Sequence, residues 1–188
     1  IGYSWLNLGN MQFDRAMSKE SLKSFKNSMQ IGLKLQDSVL LSRAYKDLGT
    51  IHSYIGNFNL SIEYILKALP IFEQLNNEAD IANTYISLGT NLHRSKKFKE
   101  AILYNEKALV IYKKLKNKTN EGIAYNNLAN SSNGLEEYNK SIEFAKRAID
   151  IFEELGYTRF AAFPTGNMAI SYDSLKNYNY VKYMDALT

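Results

Sequence analysis

Tyr45-Lys46-Asp47-Leu48-Gly49 and Tyr85-Ile86-Ser87-Leu88-Gly89 are one phrase read twice, at a step of forty positions. The step extends in both directions. Leu8-Gly9 precedes them, and Leu128-Ala129 and Met168-Ala169 follow, each at the same step from its neighbour and with no insertion between. Self-similarity at a fixed period of this size is the mark of a repeat array.

Other columns keep the same step: Trp5, Tyr45, Tyr85 and Tyr125; Phe58, Phe98, Tyr138 and Tyr178; Ser28, Ala68, Ala108 and Ala148; Ile31, Ile71, Ile111 and Ile151; Leu35, Leu75, Leu115 and Leu155. Inside a repeat the apolar residues fall three and four apart, as in Ile62, Ile65, Leu66, Leu69 and Phe72, which is the spacing of one helix face. No stretch alternates with a period of two. The spacing predicts a first helix over about Val39 to Tyr54, a turn at Gly56-Asn57, a second helix to about Leu75, and a new repeat from about Asn77. The small residues Gly49 and Gly89 are expected where two helices of a hairpin approach closely, because a helical glycine costs about 1 kcal/mol against alanine and needs a packing reason. Gly89→Leu should therefore loosen the middle of the stack. A lone hairpin cannot bury its apolar stripe, whereas stacked hairpins share a continuous core with a concave and a convex side.

The phrase Tyr45, Leu48-Gly49, Ser61, Ala68, repeated as Tyr85, Leu88-Gly89, Ala101, Ala108, resembles the tetratricopeptide repeat family over essentially the whole chain. The resemblance implies an all-α fold, a right-handed α-solenoid of five helix-turn-helix repeats, in a single domain over 1–188. The repeats fall at approximately 1–36, 37–76, 77–116, 117–156 and 157–188. The forty-residue unit is longer than the family's usual one. In this it is similar to the repeats of kinesin light chains, Rap-type regulators and bacterial sensor proteins, which bind peptides and protein segments.

Departures are concentrated at the ends. The fifth repeat carries Pro164 inside its first helix, and its Ala186-Leu187 falls two residues early. Pro164 either starts a shortened helix or kinks a longer one, and Pro70, deep in a second helix, is expected to bend it. Trp5 at one end, and Met184 and Leu187 at the other, have no further repeat to cover them. The chain starts at Ile1 in helical sequence, so a fragment of a longer chain is expected, or a homodimer through exposed repeat ends.

The resemblance also implies where a ligand would lie. The family's concave groove is lined by the first helices, and carrying its positions over column by column yields Asn7, Asn10, Arg43, Lys46, Asp47, Thr50, Asn83, Ile86, Thr90, His93, Asn126, Asn127, Asn130, Asn133 and Asn167 as the candidate peptide site. Carboxamides both donate and accept, so such a ladder, similar to the asparagine ladder of kinesin light chains, can hydrogen-bond an extended main chain whatever its side chains. Tyr3, Leu6, Ile86, Ile123 and Phe163 would supply selective pockets. Asparagine is abundant in the loops too, as in Asn76-Asn77, so composition alone is the competing reading. A clamp for a terminal carboxylate has only Arg43, Lys46 and Arg94 to draw on.

Composition narrows the function class. With 45% hydrophobic residues and no cysteine, the chain should fold, and it has no thiolate zinc site or cysteine nucleophile. Neither a membrane-length apolar run nor a signal peptide is present, so no membrane insertion is expected and a cytoplasmic location is the working expectation. The net charge of +4 comes with two lysine clusters, Lys96, Lys97, Lys99 and Lys113, Lys114, Lys116, Lys118. These read as solvated helix faces, since a nucleic-acid patch would need aromatic or arginine partners. His52 falls at a packing column, His93 lacks metal-ligand company, and Glu136-Glu137 and Glu153-Glu154 read as surface carboxylates. No enzyme activity, cofactor, metal or nucleic acid is expected; the partner is a protein or peptide.

Overall fold

The structure, a computed structural model, describes the backbone of residues 1–185 and the side-chain environment of residues 1–176. All regular structure among the described residues is helical: α1 (Gly2–Asp14), α2 (Ser18–Leu35), α3 (Ser38–Tyr54), α4 (Phe58–Gln74), α5 (Glu78–Arg94), α6 (Phe98–Lys114), α7 (Lys118–Gly134), α8 (Tyr138–Glu154) and α9 (Thr158–Asp185). It is an all-α repeat solenoid fold, and the helix and turn expected between Val39 and Asn77 fall within a residue of their predicted bounds. The environments of Tyr178, Met184, Ala186 and Leu187 lie outside the described residues.

The chain forms two compact units, Ile1–Ser95 and Lys96–Thr188. In the first, α1 packs on α2 and α3 on α4, with α2 against α3 and α4 against α5. Its core gathers Leu6, Phe25, Leu40, Ala44, Leu48 and Ile51. In the second, α7 packs on α8 and both meet α9, around Tyr125, Leu128, Ala148, Ile151, Phe152 and Ala161.

Helix ends repeat with the sequence. Asp37, Asn77 and Asn117, one repeat step apart, each accept the backbone N–H three residues on, at 2.9, 3.1 and 3.1 Å. These are N-caps that satisfy an otherwise orphaned donor. At the opposite ends Gln36, Asn76, Lys116 and Gly156 take positive φ. The next residue's N–H then reaches back to close each helix, as Asn77 does to Phe72 and Tyr157 to Phe152, in the Schellman pattern. Six of the positive-φ residues are not glycine, so packing of the flanking helices imposes these turns against residue preference.

Gly49 sits where α3 and α4 meet. A Cβ there would lie 2.6 Å from Cγ1 of Ile65, and its carbonyl accepts the buried Ser61 hydroxyl at 2.7 Å. Gly9 repeats the bond with Ser21 at 2.9 Å. Where Ala129 replaces the glycine, the buried hydroxyl of Ser141 has no partner.

The fifth repeat departs from expectation. Instead of a hairpin it contributes the single helix α9, which begins six residues before Pro164 and includes it. The shortened-helix alternative is thereby excluded, and α4 likewise continues through Pro70. The physical reason lies in the turn that a hairpin needs. The earlier hairpin turns hold Ala16, Gly56, Lys96 and Glu136 at positive φ, a conformation unfavourable to an L side chain, and a helix that runs straight through Lys176 avoids it.

Candidate functional site

In the N-terminal unit the expected groove residues lie on α1, α3 and α5. Asn7, Asn10, Arg43, Thr50 and Asn83 are exposed; Lys46, Asp47, Ile86, Thr90 and His93 are half-buried. Asn10 hydrogen-bonds the Asp47 carboxylate, and removal from water pushes Asp47 up to about 6 even though Lys46, Asn10 and Arg43 all favour its ionised form. The Lys46 ammonium lies 3.8 Å from Asp80 on α5. This pair was not read from the sequence, because Asp80 lies in the first turn of its helix, outside the groove columns.

A cavity of about 320 Å³ opens among these helices. Phe13, Tyr54, Ile65 and Ile86 supply its apolar wall, and Thr50, Ser53, Ser87, Thr90, Asn91 and Arg94 its polar lining. The Thr50 hydroxyl donates to the Lys46 carbonyl at 3.1 Å and the Ser87 hydroxyl to the Asn83 carbonyl at 3.0 Å. With each hydroxyl's proton directed at its own helix, its lone pairs remain to accept from a ligand. The cavity therefore offers acceptors beside an apolar wall, which suits the N–H groups and a side chain of an extended polypeptide. Arg94 stacks over Phe58, its guanidinium carbon 5.5 Å from the ring centre. His93 does not line the cavity, and burial and Arg94 lower its basicity.

In the C-terminal unit most of the expected asparagines bond to one another. The Asn133 amide donates to the Asn167 carbonyl at 3.0 Å, and Asn167 donates to Asn126 Oδ1 at 3.1 Å. The Ser171 hydroxyl lies 2.6 Å from Asn133 Oδ1 and 3.0 Å from the Asn167 carbonyl. Asn127 makes a long 3.5 Å contact with the buried Asn105, while Asn130 is exposed. Asn126, Asn133 and Asn167 thus form a seam between α7 and α9, completed by Ser171. A column reading cannot reveal such a seam, since it shows which residues share a face but not which of them face each other. A smaller cavity of about 260 Å³ beside the seam is lined by Ile123, Asn126, Phe152, Phe160 and Phe163.

His52 is buried as its column predicts. Its ring stacks on Tyr64 at 5.4 Å, and neither ring nitrogen has a hydrogen-bond partner. Desolvation, aided by Lys26, lowers its basicity below that of a free histidine. The folded state therefore resists protonation. Its contribution to stability is complete above the unfolded value near 6.5 and is lost as the pH falls below it. His52→Phe, which keeps the stack and removes two unsatisfied nitrogens, should raise stability by about 1 kcal/mol or more and flatten the loss between pH 7 and 5 in urea titrations. An unchanged acid profile would show that His52 is not responsible.

No group of three or more His, Cys, Asp or Glu residues among the described residues is placed to hold a metal. No helix among them is long and apolar enough to cross a membrane.

Tetratricopeptide repeat profiles match residues 54–114 and 123–155, together half of the sequence. The chain belongs to the tetratricopeptide repeat family. No curated protein matches it significantly. Among solved structures, the tetratricopeptide repeat chain is similar to a signal transduction ATPase with numerous domains that carries a tetratricopeptide repeat sensor, from Pyrococcus horikoshii. That match has a TM-score of 0.85 and 19% identity over 99% of this chain and 30% of that one. A Rap protein complexed with competence and sporulation factor matches with a TM-score of 0.76 and 18% identity over 98% of this chain and 52% of that one. The tetratricopeptide-like repeats of a putative kinesin light chain from Podosopora anserina match with a TM-score of 0.78 and 11% identity, over 98% and 91%. The chain spans about a third of the first of these proteins and about half of the second. At such identities the likeness shows the shared fold.

Proposed function

We propose that this tetratricopeptide repeat chain is a non-catalytic scaffold that binds a polypeptide segment on the faces that its first helices present within a unit. The observation that carries this reading is the 320 Å³ cavity of the N-terminal unit, where Thr50, Ile86 and Thr90, three residues expected in the groove, meet beside Phe13. Its outward acceptors fit main-chain N–H groups, and its apolar wall fits one anchoring side chain. Asn7, Asn10, Arg43, Lys46, Asp47 and Asn83 extend this surface; in the C-terminal unit Asn130, with Asn127 behind it, is the most available member. The similar structures that carry a sensor or hold a bound factor support a signalling role for the module, and a cytoplasmic location belongs to the same proposal.

The test is a pull-down from native lysate with wild type, Thr50→Trp, which fills the cavity from an exposed position, and the Asn127→Ala/Asn130→Ala double variant. A polypeptide captured by wild type should be lost with Thr50→Trp, and the double variant should weaken it by about 1 to 3 kcal/mol if those amides bond the ligand. Equal capture by all three would exclude the groove.

A self-association role is the second reading. It is favoured by Phe160, Phe163, Ile170 and Tyr172, all exposed on α9. Sedimentation velocity across a concentration series would separate the two, since only self-association predicts a concentration-dependent dimer.

A further inference from the structure

The lysine cluster Lys113, Lys114, Lys116, Lys118 is not absorbed by the groove. From Lys96 to Lys118 the sequence carries eight lysines against two glutamates. Solvation alone would explain these side chains if they stood apart from aromatic and arginine partners, but Lys113 does not stand apart.

Within the C-terminal unit, α6, α7 and α8 bring Lys113, Tyr125 and Arg147 together. The Lys113 ammonium lies 5.2 Å and the Arg147 guanidinium carbon 5.6 Å from the centre of the Tyr125 ring. Arg147 Nη1 lies 3.3 Å from the phenol oxygen. Both cations donate to that oxygen, and together they lower the phenol's pKa against the opposing effect of its burial. Toward Arg147 the phenol oxygen is the acceptor, so its own proton is not used in that contact. Arg147 is tied at its other nitrogen to Glu143 at 2.7 Å, so one carboxylate answers two cations and the cluster keeps a net positive charge. Lys113 and Arg147 are both exposed to solvent while the Tyr125 ring is buried beneath them.

The repeats supply an internal comparison. Tyr85 is the counterpart of Tyr125 and Glu73 the counterpart of Lys113, each one repeat earlier. In the N-terminal unit the Tyr85 phenol donates to the Glu73 carboxylate at 3.5 Å. There the repeat carries its own acceptor; one repeat later that acceptor is replaced by a cation, and the phenol proton, the ammonium and the guanidinium converge with no anion between them.

We infer that Lys113, Arg147 and the Tyr125 hydroxyl form a binding site for an oxyanion, a phosphoryl or carboxylate group taking the place that the Glu73 carboxylate occupies beside Tyr85. Two charge-assisted donors and one hydroxyl suit a group with two or three oxygens. Glu143 limits affinity by holding one face of Arg147. This site rests on residues of α6, α7 and α8 alone and is independent of the groove reading.

The test is NMR of the whole chain with ¹³Cζ-labelled tyrosine and side-chain arginine detection, titrated in separate arms with inorganic phosphate and with acetate at ionic strength held constant by chloride. Saturable shifts at Tyr125 and Arg147 are expected in at least one arm, and the stronger arm identifies the oxyanion. Lys113→Glu, which is exposed and restores the acceptor found beside Tyr85, should weaken the titration about tenfold or more, and Lys107→Gln, a lysine over Tyr104 instead, should leave it unchanged. Shifts that fail to saturate in both arms, or that persist at full strength in Lys113→Glu, would overturn the inference.

Discussion

Gly49→Leu should cost the N-terminal unit about 3 to 5 kcal/mol, the largest loss expected from any single substitution considered for this chain. The first added atom, Cβ, would stand 2.6 Å from Cγ1 of Ile65, well inside contact distance, and 3.3 Å from the Ser61 carbonyl. Three further carbons have no space at all. Either Ile65, itself fully buried, leaves its rotamer, or α3 and α4 move apart. Overpacking of this kind costs about 1 to 3 kcal/mol. Separation also breaks the 2.7 Å bond from Ser61 to the Gly49 carbonyl, which leaves the buried Ser61 hydroxyl unpaired at a further cost of about 1 to 3 kcal/mol. The gain in helix propensity, under about 1 kcal/mol, offsets only a part. Gly166→Ala is the matched control: nothing stands within 4 Å of its Cβ, so the propensity term acts alone and should stabilise α9 by about 0.5 to 1 kcal/mol. Urea unfolding followed by circular dichroism reads both. A Gly49→Leu protein that unfolds with the wild type would mean that α3 and α4 are not packed at this register.

The second large effect is expected at the seam between α7 and α9. Asn133→Asp keeps the shape but exchanges an N–H donor for a carboxylate oxygen facing the Asn167 carbonyl, which now accepts from Asn133 at 3.0 Å. The Ser171 hydroxyl can still bond Asn133's other oxygen position, so the loss is one hydrogen bond turned into a repulsion. A cost of about 2 kcal/mol, on the scale of a half-buried group left unsatisfied, corresponds to about 30-fold faster hydrogen exchange along α9. Acidification should reverse much of it, because a protonated carboxyl can donate to the same carbonyl. Asn130→Asp, at an exposed position one turn earlier, should change little. If both variants exchange alike, the seam does not hold α9.

These two sites differ in how legible they were. Gly49 announced itself: a helix-weakening residue recurring at Gly9 and Gly89 beside an invariant step of apolar residues demands a packing reason, and close helix approach is that reason. The asparagines were equally visible as a column, but a column states only a common face. Whether Asn133 offers its amide to a ligand or to Asn167 depends on the approach of α9 to α7, a contact between residues 34 apart in sequence. The charged neighbours were harder still. Lys113 and Arg147 meet over Tyr125 from different helices, and in sequence they were only a lysine-rich turn and a distant arginine.

Local periodicity and the forty-residue step were sufficient to determine the helical class and the bounds of the hairpin between Val39 and Asn77, because helix formation depends on spacing within a few turns, and the residues of the repeated phrase pointed to the family. Tertiary structure alone decided the rest: that the fifth repeat runs on as one helix, that part of the asparagine ladder is spent on the protein itself, and that the open acceptors gather around Thr50 and Ser87. Those outcomes are set by which faces meet in space, and each is a balance of a few hydrogen bonds against solvent, a quantity that no repeat period encodes.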